Sequence, residues 1–210
     1  MVQEEQSSQV MSSREAILAS VRTNLPTSEL RLPEIPSFGE NQPASCVEAF
    51  GNALLLMGGR LLDPGPADDL LGPAKALLES SRLVCSATSE IKGDLDLATV
   101  AAPSALANVD HAVVRAAFGV AETGSVLLTD QDLKVNALAY LAQHLIVLLD
   151  PADIVANIHH AYARPEFDRH GYAVFHSGPS ATADIEGVLI QGAQGVRSLS
   201  VLLAPRSPAK

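Results

Sequence analysis

Leu145-Ile146-Val147-Leu148-Leu149-Asp150-Pro151 is the stretch on which the fold turns. Five consecutive apolar residues, two of them β-branched, suit a strand buried on both faces, the pattern of a parallel sheet covered by helices. Asp150 and Pro151 end the run, and a proline in a first-turn position predicts a helix over 151–163. Similar short apolar runs stand at Leu83-Val84-Cys85, 124–128, 172–175 and 199–203. Between them, 135–142 and 181–190 read as helical. Strands alternating with helices predict an α/β fold with a mainly parallel sheet and helices on both faces.

Working back toward the start, Val47, Phe50, Leu54 and Met57 repeat at helical spacing, and Gly58-Gly59 ends that helix before the apolar run at Leu61-Leu62. Residues 67–78 read as a second helix, broken or kinked by Gly72-Pro73. Ser12-Ser13-Arg14-Glu15 has the form of a capping box, so a short helix should follow and stop before Pro26. Pro26, Pro33, Pro36 and Pro43 make 26–43 an extended arm. The layout expected is a polar tail over 1–11, a helix and Pro-rich arm over 12–43, an α/β domain over 44–204 and a short tail over 205–210.

A net charge of -10 lacks the basic face that phosphate neutralisation needs, which argues against nucleic-acid binding. Only Cys46 and Cys85 are present, too few for a four-ligand zinc or iron–sulfur site and in keeping with buried thiols in a reducing compartment. Met1 to Gln6 has no basic segment leading into an apolar one, and the apolar runs fall far short of the roughly 20 residues a bilayer-spanning helix needs. A cytoplasmic protein with no membrane span is expected.

Two loops carry the candidate chemistry. Ser177-Gly178-Pro179-Ser180 follows the strand over 172–175 and precedes the helix expected over 181–190, so its amides and the helix dipole would favour an anion, with Ser180 or Thr182 as cap. The plainer alternative is a strand-to-helix turn with a serine cap and no ligand. In Ala121-Glu122-Thr123-Gly124, the glycine lets the backbone pass close to a neighbour, and Glu122 could act as nucleophile, base or acceptor. A Glu that bonds the backbone amides of a turn is its plainer role. His144, just before the strand 145–149, could approach Glu122 if the strands are adjacent. His159 and His160 are helical neighbours about 100° apart, so they do not form a two-ligand metal clamp. Walker, dinucleotide-fingerprint and hydrolase-elbow motifs are all missing from the sequence.

Residues 119–128, Gly-Val-Ala-Glu-Thr-Gly-Ser-Val-Leu-Leu, and 177–186, Ser-Gly-Pro-Ser-Ala-Thr-Ala-Asp-Ile-Glu, resemble the two most characteristic stretches of the lactate-utilisation protein C family, the LUD domain. With His144 to Leu149 between them and the run at 199–203 after them, the resemblance spans residues 12–204. It implies a three-layer α/β/α sandwich with a Rossmann-like sheet, as in the sugar-phosphate isomerase and coenzyme A transferase group. It also implies a setting in which L-lactate is oxidised to pyruvate with iron–sulfur partner proteins, this chain holding no cluster itself. Glu122 stands where the coenzyme A transferases of that group place a nucleophile. Thr123, Gly124, Ser125, His144, Ser177, Gly178, Pro179, Ser180, Thr182, Asp184 and Glu186 are then the ligand-binding candidates, and no metal site is expected. The sequence departs from the pattern at Lys134-Val135-Asn136, where an arginine is usual, at Leu141-Ala142, where Leu-Pro is usual, and at Gly192-Ala193-Gln194-Gly195-Val196, where Gly-Val-His-Gly-Pro is usual.

The function expected is that of a non-redox subunit or accessory of L-lactate utilisation that binds a small anion of lactate, phosphate or acyl-coenzyme A type. A stand-alone acyl-transfer or isomerase-type enzyme using Glu122 is the alternative, and a non-catalytic interaction domain is the third reading. A homo-oligomer is compatible with the sequence.

Overall fold

The computed structural model describes residues 12–26, 33, 36 and 42–206. The tail over 1–11, most of the Pro-rich arm and the end from 207 lie outside them. The chain divides into two units, 1–36 and 37–210. In the first, helix α1 (Ser13–Thr23) opens on the expected capping box: the Glu15 carboxylate accepts from the Ser12 amide at 2.8 Å, and the Glu15 amide donates to Ser12 Oγ at 3.3 Å.

The second unit holds α2 (Cys46–Leu56), β1 (Arg60–Leu62), α3 (Gly72–Leu78), β2 (Val84–Ser86), β3 (His111–Arg115), β4 (Phe118–Val120), β5 (Ser125–Thr129), α4 (Asp130–Leu133), α5 (Leu138–Leu141), β6 (His144–Leu149), β7 (Ile154–Val155), α6 (Ile158–Tyr162), α7 (Glu166–Arg169), β8 (Ala173–His176), β9 (Ala181–Ile185), β10 (Val188–Gln191) and β11 (Ser198–Leu203). Five strands form an all-parallel sheet in the order β1-β11-β6-β3-β2, flanked by helices. This is the α/β sandwich expected. The apolar run Leu145 to Leu149 lies in its central strand, β6, and is buried throughout.

Its continuous hydrophobicity has a direct cause. Successive side chains point to opposite faces, and here both faces are covered: Ala112, Val114, Leu145, Val147, Leu199 and Val201 pack with Phe50 and Leu54 of α2, while Val113, Ile146, Leu148 and Leu202 pack with Ala74 of α3. A second, mixed sheet has the order β7-β4-β5-β8, with β5 antiparallel to both its neighbours. Its outer face buries Phe118, Val120 and Leu127 against Ala161 of α6, with Phe167 of α7 closing the cluster. Arg164 lies 4.7 Å over the Phe118 ring, so a cation–π contact seals one side.

Three helical expectations are corrected. Residues 181–190 form a hairpin, β9 antiparallel to β10, closed by Glu186-Gly187 with φ of 53° and 72°. Two positive φ values in a two-residue loop define the turn whose twist matches its strands, and Gly187 supplies the second at no steric cost. The segment 151–163 is a 3₁₀ turn (Pro151–Asp153), then β7, then α6. The Asp150 carboxylate caps only that first turn by accepting from the Ala152 amide at 3.0 Å, and β-branched Ile154-Val155 pair with β4 instead of continuing a helix. Finally, 67–78 shortens to α3, with Pro73 in its first turn, where a missing N–H costs nothing.

Candidate functional site

Both loops belong to the mixed sheet and not to the five-stranded parallel one: 121–124 leave β4, and 177–180 leave β8. Residues 121–124 are the hairpin turn joining β4 to β5, where Val120 pairs with Ser125. Ser177 to Ser180 leave β8 and enter the hairpin β9–β10, so no helix dipole stands behind them and neither Ser180 nor Thr182 caps a helix. Gly124 and Gly178 have φ of 62° and 78°. A Cβ on Gly124 would stand 2.2 Å from Leu54 N, and one on Gly178 would stand 2.1 Å from Met57 O. The close neighbour that these glycines admit is therefore the end of α2.

Sheet pairing of β5 with β8 brings the two loops together. Thr123 Oγ1 lies 2.6 Å from Ser125 Oγ, which in turn hydrogen-bonds Ser177 Oγ, so a chain of three hydroxyls joins the first loop to the second. Ser125 is buried. Ser180 ties the second loop to 192–196: its amide donates to Val196 O at 2.9 Å, its hydroxyl donates to Gln194 O at 2.7 Å, and its carbonyl accepts from Gly192 N at 2.6 Å.

A cavity of about 270 Å³ opens between the second loop and 192–196, walled by Ser177, Pro179, Ser180, Gln194, His176 and Tyr140. His176 Nε2 is fully buried and, among the described residues, has no hydrogen-bond partner. Burial holds this imidazole below its ordinary value of 6.5, hence neutral at pH 7. The Tyr140 ring stands 5.3 Å from it, and the Tyr140 hydroxyl bonds that of Tyr172. Burial, then the Tyr172 contact, raises the Tyr140 phenol, which remains a proton donor. Tyr140 and Gly195 also line an adjoining cavity of about 310 Å³ that ends at Arg197. Arg197 is exposed and, among the described residues, makes no ion pair.

The other predicted residues stand apart. Glu122 is exposed, and its Oε2 accepts from the Ile158 amide at 3.0 Å, satisfying an N–H at the start of α6. Asp184 and Glu186 are exposed on the β9–β10 hairpin and do not wall the cavity. His144 does not meet Glu122: it opens β6 in the parallel sheet, its Nδ1 lies 2.8 Å from Ser198 Oγ, and its ring stacks on His111 at 4.7 Å. His160 bonds Asn157 Oδ1 at 2.8 Å through Nδ1. Among the described residues no group of three or more His, Cys, Asp or Glu side chains is placed to hold a metal ion, and no helix is long and apolar enough to cross a membrane. Cys85 is buried, its thiol pushed up to about 11 by desolvation, which makes it unreactive.

A model of the family described as the LUD domain matches residues 91–204, more than half of the sequence. The chain belongs to the LUD domain family. No curated protein matches it. Among solved structures it is similar to a DUF162 family protein from Deinococcus radiodurans, with 20% identity over 77% of this chain and 99% of that chain and a TM-score of 0.58. That likeness shows a shared fold. Both motif stretches fall inside the LUD match, whereas α2, on which their glycines rest, precedes it. Sequence reasoning missed Tyr140, His176 and Arg197 in this LUD domain. His176 directly precedes the second motif and Arg197 directly follows the divergent 192–196 stretch, so adjacency was the signal.

The imidazoles of this LUD domain make its stability depend on pH. His111, His144 and His176 all lie below 6.5, each mainly through burial. The charges facing the stacked pair reinforce this, with Arg60 and Arg197 disfavouring protonation against an opposing Asp110. Below pH 6.5 the unfolded chain takes up protons that the folded one refuses, so stability falls as pH drops from about 6.5 through the lowered folded values. The urea midpoint should decline between pH 7 and 5.5, and His144→Gln should flatten that decline. A midpoint constant over this window would contradict the buried neutral imidazoles.

Proposed function

We propose that this LUD domain serves L-lactate utilisation as a non-redox protein, binding a small organic anion of the lactate or pyruvate type, with the electron transfer carried by iron–sulfur partner proteins. The observation that carries the reading is that the second family stretch, joined to the first by the Ser125–Ser177 bond, walls a cavity holding a buried imidazole nitrogen and adjoining a cavity lined by a guanidinium, neither group being paired among the described residues. A carboxylate suits Arg197, which offers paired donors to its two oxygens. A hydroxyl or carbonyl beside it suits His176 and Ser177, since neutral imidazole can accept or donate one hydrogen bond. The family setting supplies the identity of the acid.

The Glu122 nucleophile is the weaker reading. An exposed carboxylate already accepting a backbone N–H lacks the desolvation that would activate it.

L-lactate or pyruvate at millimolar concentration should raise the thermal midpoint of the full chain, because a ligand that binds only the folded state stabilises it by mass action. Arg197→Ala should remove most of that rise and Glu122→Gln should leave it intact. If neither acid moves the wild-type midpoint, the anion-binding reading is lost. If Glu122→Gln alone abolishes the rise, the enzyme reading replaces it.

A further inference from the structure

We propose that a second cavity, at the carboxyl end of β2, binds a phosphorylated small molecule of nucleotide size through Lys92 and Lys134. In open parallel sheets the carboxyl ends of the strands are where ligands sit, since loops there splay apart and leave a crevice. β2 ends at Ser86, and a cavity of about 690 Å³ opens beside it, within the range of small-molecule sites. Its walls differ in character. Ile91, Leu95 and Leu97 form an apolar side, while Ser86, Thr88 and Ser89 present hydroxyls. The two lysines complete the polar side.

Charge makes the placement of those lysines informative. The sequence has four lysines, Lys75, Lys92, Lys134 and Lys210, in a chain of net charge -10. Lys75 pairs with Asp69 at 2.7 Å. Lys92 and Lys134 line this cavity, and among the described residues neither makes an ion pair. The nearby acid Glu90 is already paired with Arg115, and Asp96 on the cavity wall accepts from the Ala98 amide at 2.9 Å. The Ser86 and Thr88 hydroxyls are engaged with Thr88 O and Glu90 Oε2, so two ammonium groups without an ion pair among the described residues, beside the Ser89 hydroxyl, are the groups that suit phosphate oxygens, and the apolar side suits the body that carries them.

Lys134 is held there at a cost. Its φ is 58° with ψ of -42°, and the Val135 amide donates to Leu133 O across it at 2.6 Å. This is a γ-turn of the strained kind, disfavoured for any residue with a Cβ. Glycine would relax it, so stability alone does not account for lysine at this position. The cavity shares no wall residue with the one that holds His176, so this site stands or falls independently of the anion reading above.

Calorimetric titration of the full chain with ADP, inorganic pyrophosphate and adenosine tests it. ADP and pyrophosphate should bind, adenosine at least tenfold more weakly than ADP, and added NaCl should weaken both phosphate probes. Lys134→Gly relaxes the turn, so a urea midpoint equal to or above wild type certifies its fold. It should nonetheless weaken ADP tenfold or more, as should Lys92→Ala, while Arg197→Ala leaves ADP unchanged. Absence of binding by both phosphate probes, adenosine binding as tightly as ADP, or full ADP affinity in the double variant K92A/K134G would each overturn the site.

Discussion

Gly124→Ala should destabilise the folded chain by about 4 kcal/mol and lower its urea midpoint by roughly 2 M, given the slopes usual for a chain of this size. Two costs combine. The residue sits at φ 62°, where an L side chain pays about 1–2 kcal/mol, and its new Cβ would fall 2.2 Å from Leu54 N and 2.5 Å from Leu54 Cα. Those atoms are helix backbone, so relief requires moving α2 off the sheet and opening the core around Phe50 and Leu54. Gly178→Ala should behave alike, its Cβ meeting Met57 O at 2.1 Å. Gly187 is the control. It has a similar φ of 72° but open space around it, so Gly187→Ala should cost only the conformational part, about 1 kcal/mol. Equal losses at Gly124 and Gly187 would show that α2 does not rest on the first motif.

Arg115→Met should cost roughly 2–3 kcal/mol. Arg115 closes β3, and its guanidinium ties three strand exits together. Nε donates to Glu90 Oε2 at 2.8 Å, a second nitrogen bonds Glu90 Oε1, and a third donates to Ala204 O at 2.9 Å, just past β11. Its side chain is only 12% exposed and that of Glu90 27%, so removing the cation leaves a partly buried carboxylate with only the weaker influence of Arg206. The Arg82–Asp110 pair offers the contrast. The Arg82 side chain is 89% exposed, and Arg82→Met should leave the midpoint almost unchanged.

Acid sharpens the Arg115 test. Burial pushes the Glu90 carboxyl up, but its bonds to Arg115 and Thr88 outweigh that and hold it below 4.5. Stability from this group is therefore complete above pH 4.5 and lost as pH falls through the lowered folded value. Wild type should lose stability in that range, and Arg115→Met should lose less, having already forfeited the pair. Parallel acid limbs for the two proteins would refute the role given to Glu90.

The sequence by itself determined the parallel sheet. A strand covered on both faces is apolar almost throughout, so β6 was legible as a continuous run, and β11 as a run interrupted at Ser200, whose buried hydroxyl accepts from Arg60 Nε. It determined the two motif loops, whose glycines mark positions that a Cβ would block, and the capping box of α1, where the whole interaction is local. Local signals failed where pairing overrode them. Residues 181–190 become a hairpin because Glu186-Gly187 makes the turn, and 154–155 become a strand because β4 lies beside them. Only the tertiary structure decided which residues meet. Tyr140, His176 and Arg197 come from three separate segments, and burial of His176 Nε2 without a partner among the described residues is a property of the packed molecule that no spacing along the chain encodes. It likewise decided that Glu122 satisfies a helix end, that His144 stacks on His111, and that the motif glycines face α2, since each depends on which strands lie side by side.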